Sequence, residues 1–292
     1  FEALRKRSCA RLELQSCHPC ELVPVCPISA LVATVDPEWE RGTDPPRPLV
    51  IDPPLDELVT YPADAKLEFG VTVFGSAGRL LPYVVLALGD IGKAGLGRKY
   101  ERDGFWTRGR FEVERVELAD PFSGDRELLY SGDAGGQPVF HSPRGKVESG
   151  GMALPEVSRI ELEFVTPTRL VRQGELAPRF ELLPFLQRLR ERLEALDRRY
   201  GAHELPPGER RGYPFDAVQV AGEIDLTDDR TAWQDVRAYS RRQKQAVPVG
   251  GFLGTVTLEG NLAPLLPYLA WGQLTHVGKD ATKGNGWYRL RC

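Results

Sequence analysis

The alternation of apolar and polar residues divides the chain into short elements, and their order already narrows the fold. Arg159–Val165 (RIELEFV) alternates residue by residue, as a half-buried strand does, and stops at Thr166-Pro167. From Arg179 to Tyr200 the spacing changes: Leu182, Leu186, Leu189, Leu193 and Leu196 follow at steps of 4, 3, 4 and 3. That spacing predicts an amphipathic helix, with Arg188, Arg190, Arg192, Arg198 and Arg199 on or beside its polar face and Gly201 closing it. Val218–Leu226 and Val249–Leu258 read as strands, Leu262–Leu274 as an apolar helix and Gly286–Arg291 as a last strand. The second half is thus predicted as β-α-β-β-α-β, the ferredoxin-like order of two helices on one face of a four-stranded antiparallel sheet.

The first half is less regular. Phe1–Arg7 reads as a short basic helix, and Ser8–Pro54 as an irregular insertion rich in Cys, Pro and Asp that ends in the apolar run Leu49–Ile51. Lys66–Phe74 alternates as a strand. Leu80–Ile91 reads as a packed helix, ended by Gly92-Lys93-Ala94-Gly95-Leu96-Gly97, and Phe105–Leu118 as a long strand with Glu127–Tyr130 as its hairpin partner. This order repeats that of the second half except for a first strand, which is expected before Phe1. A Gly-Lys pair followed by a closing glycine recurs after the second helix of each half, at Gly92-Lys93…Gly97 and Gly278-Lys279…Gly286. Ser131–Pro155 reads as a linker. The expected architecture is α+β: tandem ferredoxin-like domains over 1–150 and 151–292, with a cysteine-rich, metal-binding insertion at 8–54 of the first.

Composition adjusts this picture in two places. The 30 glycines and 24 prolines among 292 residues are spread along the chain, which suits many short elements joined by tight turns. Lys+Arg (38) nearly balances Asp+Glu (41), giving a net charge of −3 and no overall basic signature. The basic residues are nevertheless clustered, in Arg188–Arg199, Arg241–Lys244 and Lys279–Lys283, and local patches suffice to contact phosphates. No window has the roughly 18 apolar residues of a membrane span, and the first residues do not form a secretory signal. A cytoplasmic location without a membrane partner is expected.

Two segments carry candidate chemistry. Cys9, Cys17, Cys20 and Cys26 put a C-x2-C pair between two further cysteines, within 18 residues of a chain that has only one other, the isolated Cys292. In a reducing compartment such a group points to metal before disulfide. Four thiolates suit tetrahedral zinc, an iron–sulfur cluster uses the same ligands, and free thiols in a loop are the plain alternative. His18 is a bystander to a complete ligand set. The second segment, Gly272–Tyr288 (GQLTHVGKDATKGNGWY), sets His276, Lys279 and Lys283 among glycines, where backbone N–H groups and ammonium charge can approach phosphates. It is not a nucleotide-triphosphate loop: five residues separate Gly272 from Gly278-Lys279, Asp280 stands where Ser or Thr is required, and the run follows a helix. A tight helix-to-strand turn explains the glycines equally well. Of the four histidines, His18, His141, His203 and His276, only His276 lies in such a loop.

Four blocks in the second half resemble the CRISPR precursor-RNA processing endoribonucleases of the RAMP superfamily. They are Glu163–Pro167 with Arg169; the helix ending Arg190…Arg199-Tyr200-Gly201; Tyr239-Ser240-Arg241-Arg242-Gln243 leading to Gly250-Gly251-Phe252…Gly254; and His276-Val277-Gly278-Lys279…Lys283-Gly284-Asn285-Gly286-Trp287-Tyr288. The first half is similar more loosely, through Leu81-Pro82-Tyr83…Gly89…Gly95-Leu96-Gly97. The resemblance implies two ferredoxin-like domains and metal-independent cleavage of repeat RNA by 2′-hydroxyl attack, leaving a 2′,3′-cyclic phosphate. It implies RNA contacts at Gly278, Lys283, Gly284, Gly286, Arg241 and Arg242, and as partners precursor CRISPR RNA, mature crRNA and other effector subunits. The family often supplies a histidine from the first helix or just after it, and Phe1–Arg7 has none. His276 is therefore expected as general base or acid, with Lys279 stabilising charge on the phosphate. A non-catalytic RNA-binding subunit of an effector complex is the competing expectation.

Overall fold

A computed structural model of the chain describes residues 2–36, 45–56, 58, 60–132, 139–140, 157–201, 215–240 and 244–292. In chain order its elements begin with α1 (Glu2–Ser8), β1 (Leu49–Asp52), β2 (Gly70–Val73) and α2 (Leu81–Ala94). Next come β3 (Leu96–Arg102), β4 (Phe105–Gly109), β5 (Arg115–Ala119), β6 (Arg126–Ser131) and β7 (Val139–Phe140). The second half has β8 (Arg159–Thr168), β9 (Val171–Arg172), β10 (Glu175–Leu176), α3 (Leu182–Tyr200), α4 (Ala217–Gly222) and β11 (Ile224–Asp229). It closes with β12 (Ala232–Gln234), β13 (Arg237–Ser240), β14 (Gln245–Pro248), β15 (Gly251–Gly260), α5 (Leu266–Thr275) and β16 (Tyr288–Arg291). Two compact units emerge, one of residues 1–37 and 78–153, the other of 38–77 and 154–292.

The second unit is built on the sheet β11-β15-β8-β16, every neighbour antiparallel, with β12 also pairing β15. With α3 after β8 and α5 after β15, this is the β-α-β-β-α-β order read from the sequence, and the sheet order is ferredoxin-like. Strict alternation in β8 buries Ile160, Leu162, Phe164, Thr166 and Thr168 on one face. Leu186, Leu189, Leu193 and Leu196 of α3 are buried, at the helical spacing that the sequence shows. Phe164 sits among Phe180, Phe185, Phe252 and Tyr288 with ring centroids 5.0–5.8 Å apart, in tilted and edge-on pairs.

Some elements differ from expectation. Val218–Leu226 is not one strand: Asp216 Oδ1 accepts from the backbone N–H groups of Val218 and Gln219, at 2.7 and 3.3 Å, so α4 forms first and the strand starts only at Ile224. The hairpin β1–β2 pairs Leu49–Asp52 with Gly70–Val73 and belongs to the second unit, although Leu49–Ile51 was expected to close the first half's insertion.

In the first unit, Phe105–Leu118 is two strands, because β4 pairs with β3 while β5 pairs with β6. β3 carries no alternation of apolar and polar residues that would announce a strand. Among the described residues this unit forms the hairpin β3–β4 and the sheet β5-β6-β7 rather than one four-stranded sheet. Helices α1 and α2 are tied by Arg7, whose guanidinium donates to Asp90 at 2.5 and 3.0 Å and holds that carboxyl below its ordinary value. Most of the expected linker lies outside the described residues.

Candidate functional site

The segment between α5 and β16 is held by its own backbone. Val277 N–H donates to Gly286, Lys279 N–H to Arg169 and Gly286 N–H to Pro167, at 3.0, 3.0 and 3.1 Å, while Trp287 N–H donates to Thr166 Oγ1 at 2.9 Å. Within the following 3-10 turn, Lys283 and Gly284 N–H donate to Asp280 and Ala281. These amides therefore point into the protein, which corrects the expectation of a bare amide cradle for phosphate.

The glycines follow the same logic. At Gly286 (φ +74°) a Cβ would lie 1.9 Å from the Val277 carbonyl oxygen, and at Gly278 (φ +94°) 2.5 Å from that of Arg169. Gly284 and Gly286 are buried. All three were expected as RNA contacts, and the structure accounts for them by close backbone packing within the unit.

What the loop turns outward is charge. Lys279 and Lys283 are exposed, and Asp280 accepts from Lys283 Nζ at 2.6 Å and from Arg169 at 3.0 Å. Next in sequence, Arg289 lies over the Trp287 ring at 5.9 Å. Arg241 and Arg242 lie outside the described residues, as do His141 and His203.

His276 is wholly buried. Its Nε2 lies 3.0 Å from Asp52 Oδ1 at the end of β1, but off the line of a hydrogen bond, so neither ring nitrogen has an aligned partner. The ring is parallel to Trp287 within 10°, with centroids 5.8 Å apart. In this conformation the imidazole does not reach solvent, which corrects the expectation that it meets the 2′-hydroxyl directly.

Two residues escaped the sequence reading. Asp52 was hidden because its strand seemed to belong to the other half. Arg192, placed on the polar face of α3, is instead half-buried: its Nε donates to the Thr275 carbonyl at the end of α5 (3.2 Å), and loss of water around it pulls its pKa down to about 10.

The first unit holds the second candidate. Cys9, Cys17, Cys20 and Cys26 line one small pocket together with Arg5 and Ser29. The Cys20 N–H donates to Cys17 at 3.1 Å, the turn that brings a C-x2-C pair to one side, and Arg5 secures the segment by donating to Leu14 at 2.5 Å. Burial, and then the neighbouring Cys26, Cys9 and Cys20, push the Cys17 thiol above its ordinary value. The sulfurs are not drawn to ligand spacing, and among the described residues no group of three or more His, Cys, Asp or Glu is. Four soft donors lining one pocket are of the type that holds zinc, and His18, next to Cys17 in sequence, is exposed.

Comparison with known proteins finds a family for most of the second half. Residues 162–288 match the family of the CRISPR-associated endoribonuclease Cas6. This segment is similar to the CRISPR-associated endoribonuclease Cas6. The matched range takes in Phe164, Arg169, His276 and both exposed lysines of the loop. Residues 1–143 match a separate family described as an N-terminal domain. An uncharacterized protein of Archaeoglobus fulgidus is 25% identical over 99% of this chain and 87% of its own length. Two solved Cas6 product complexes align with TM-scores of 0.48 and 0.45 at 16% and 17% identity, covering 85% and 87% of this chain and 83% and 84% of theirs. No helix among the described residues is long and apolar enough to cross a membrane.

Proposed function

We propose that the chain binds CRISPR repeat RNA and cuts it without a metal ion. The 2′-hydroxyl beside the scissile phosphate attacks phosphorus, the bond to the next nucleotide's 5′-oxygen breaks, and the products are a 2′,3′-cyclic phosphate and a 5′-hydroxyl. The observation that carries this reading is the Cas6 family match over a segment whose loop turns its lysines outward. The five-coordinate phosphorus carries added negative charge, and we assign its stabilisation to Lys279 and Lys283. Arg241 and Arg242 are assigned to the same RNA by their basic sequence alone. His276 enters as a positioning residue that, with Asp52, sets the loop from behind. The charges that hold the repeat are unchanged by the cut, so the product stays bound until an effector complex takes it.

One observation favours a second reading, a non-catalytic RNA-binding subunit: of the two histidines among the described residues, His276 is buried and His18 belongs to the cysteine segment. Labelled repeat RNA incubated with the protein in EDTA separates the two. A single cut ending in a cyclic phosphate supports cleavage, and binding without a cut supports the subunit. His276→Ala is expected to slow cleavage and lower Tm together with the pH–rate profile unmoved. A displaced profile would return His276 to proton transfer.

For the first unit we assign Cys9, Cys17, Cys20 and Cys26 to one structural metal ion, zinc in preference to an iron–sulfur cluster. Elemental analysis of the purified protein is expected to give one zinc per chain in a colourless sample. Visible absorbance with iron would identify a cluster, and a metal-free folded chain would overturn the assignment.

A further inference from the structure

Among the described residues the hairpin β3–β4 stands out for how little it buries. All seven residues of β3 are exposed. Its turn is Asp103-Gly104, with φ of +52° and +78°, the pair of positive φ values that a tight two-residue hairpin turn requires. The hairpin is therefore well specified although it buries little. On it, Phe105 is 76% exposed, Trp106 68% and Tyr100 45%.

Three large rings exposed on one short ordered hairpin mark a candidate binding surface on each of its faces. The register puts Phe105 opposite Arg102 and Tyr100 opposite Thr107, so these two rings share one face, while Trp106 lies opposite Glu101 on the other. Between Leu96 and Arg110 stand five basic residues (Arg98, Lys99, Arg102, Arg108, Arg110) against Glu101 and Asp103, in a chain of net charge −3. A protein-binding surface has no need of that excess. Flat rings interleaved with cations match single-stranded nucleic acid, whose bases stack and whose phosphates pair with the charges.

We propose that the β3–β4 hairpin is a stacking platform for unpaired nucleotides of the RNA that the chain processes, with Phe105 and Trp106 holding bases and Arg98, Lys99 and Arg102 the backbone. This rests on the reading that the chain binds repeat RNA. The test measures Kd of the full chain for repeat RNA, with Phe105→Ala/Trp106→Ala against wild type, and follows the tryptophan fluorescence of wild type and Trp106→Phe on RNA addition. Roughly a tenfold loss of affinity per ring is expected. Phe105→Tyr/Trp106→Phe should retain most of the affinity, and the Trp106 emission should change on binding.

Equal Kd for the alanine variant and wild type, with wild type binding and cutting normally, overturns the hairpin proposal alone. Failure of wild type to bind repeat RNA overturns it together with the proposed function. An alanine variant that loses self-association while keeping its RNA affinity reassigns the surface to protein contact and likewise overturns the proposal.

Discussion

The two units spend their aromatic residues in opposite ways. In the second, Phe164, Phe180, Phe185, Phe252 and Tyr288 pack against one another under a five-stranded sheet, and the loop they support shows water only its charged tips. In the first, Phe105 and Trp106 stand on a hairpin in solvent, and the segment after α1 is arranged around four cysteines instead of a core. The contrast separates two ways of holding a functional surface. One rests on burial beneath, and the other on tight turn geometry and on the four cysteines that we assign to a metal ion.

The sharpest way to break this comparison is to remove an aromatic ring from each side. Phe164→Ala is expected to cost about 3–5 kcal/mol in a denaturant titration, whereas Phe105→Ala should stay within about 0.5 kcal/mol. Equal costs would abolish the distinction. Gly286→Ala comes next: with φ of +74° and a Cβ 1.9 Å from the Val277 carbonyl oxygen, it should lose on the order of 3 kcal/mol and disable the loop, as read by thermal unfolding and RNA binding.

Metal removal sharpens the other side. Chelation under reducing conditions, or Cys20→Ser, should lower the unfolding temperature of the first unit and expose α1 to protease while the amide protection of β8 and β15 persists. The smallest effect concerns pH. The Arg7–Asp90 tie is fully present above the carboxyl's ordinary value of 3.8 and fades as pH falls through its lowered one. An NMR titration of Arg7→Ala should show Asp90 back at its ordinary value.

Legibility in the sequence followed the same divide. Where burial dictates periodicity, as in β8 and α3, position and type were readable to within a few residues. Where turn chemistry or capping decides, they were not: Asp216 converted the start of an expected strand into α4, and the Asp103-Gly104 turn paired the start of an expected long strand, Phe105–Gly109, with β3. The lysines and cysteines of both candidate sites were visible from composition and spacing. The partnership of Asp52 with His276 was invisible, because it joins a strand early in the chain to a loop near its end and leaves no periodic trace. The same loop's glycines looked like a phosphate cradle because glycine serves bound anions and crowded carbonyls alike.

On this reading the exposed lysines of the loop, and not its amides, meet the RNA backbone. The most direct measurement is the salt dependence of repeat-RNA affinity for wild type and Lys279→Ala. Loss of one phosphate contact should weaken binding and reduce the slope of log K against log salt by roughly 0.7 to 0.9. A variant with unchanged affinity and unchanged slope would contradict the account.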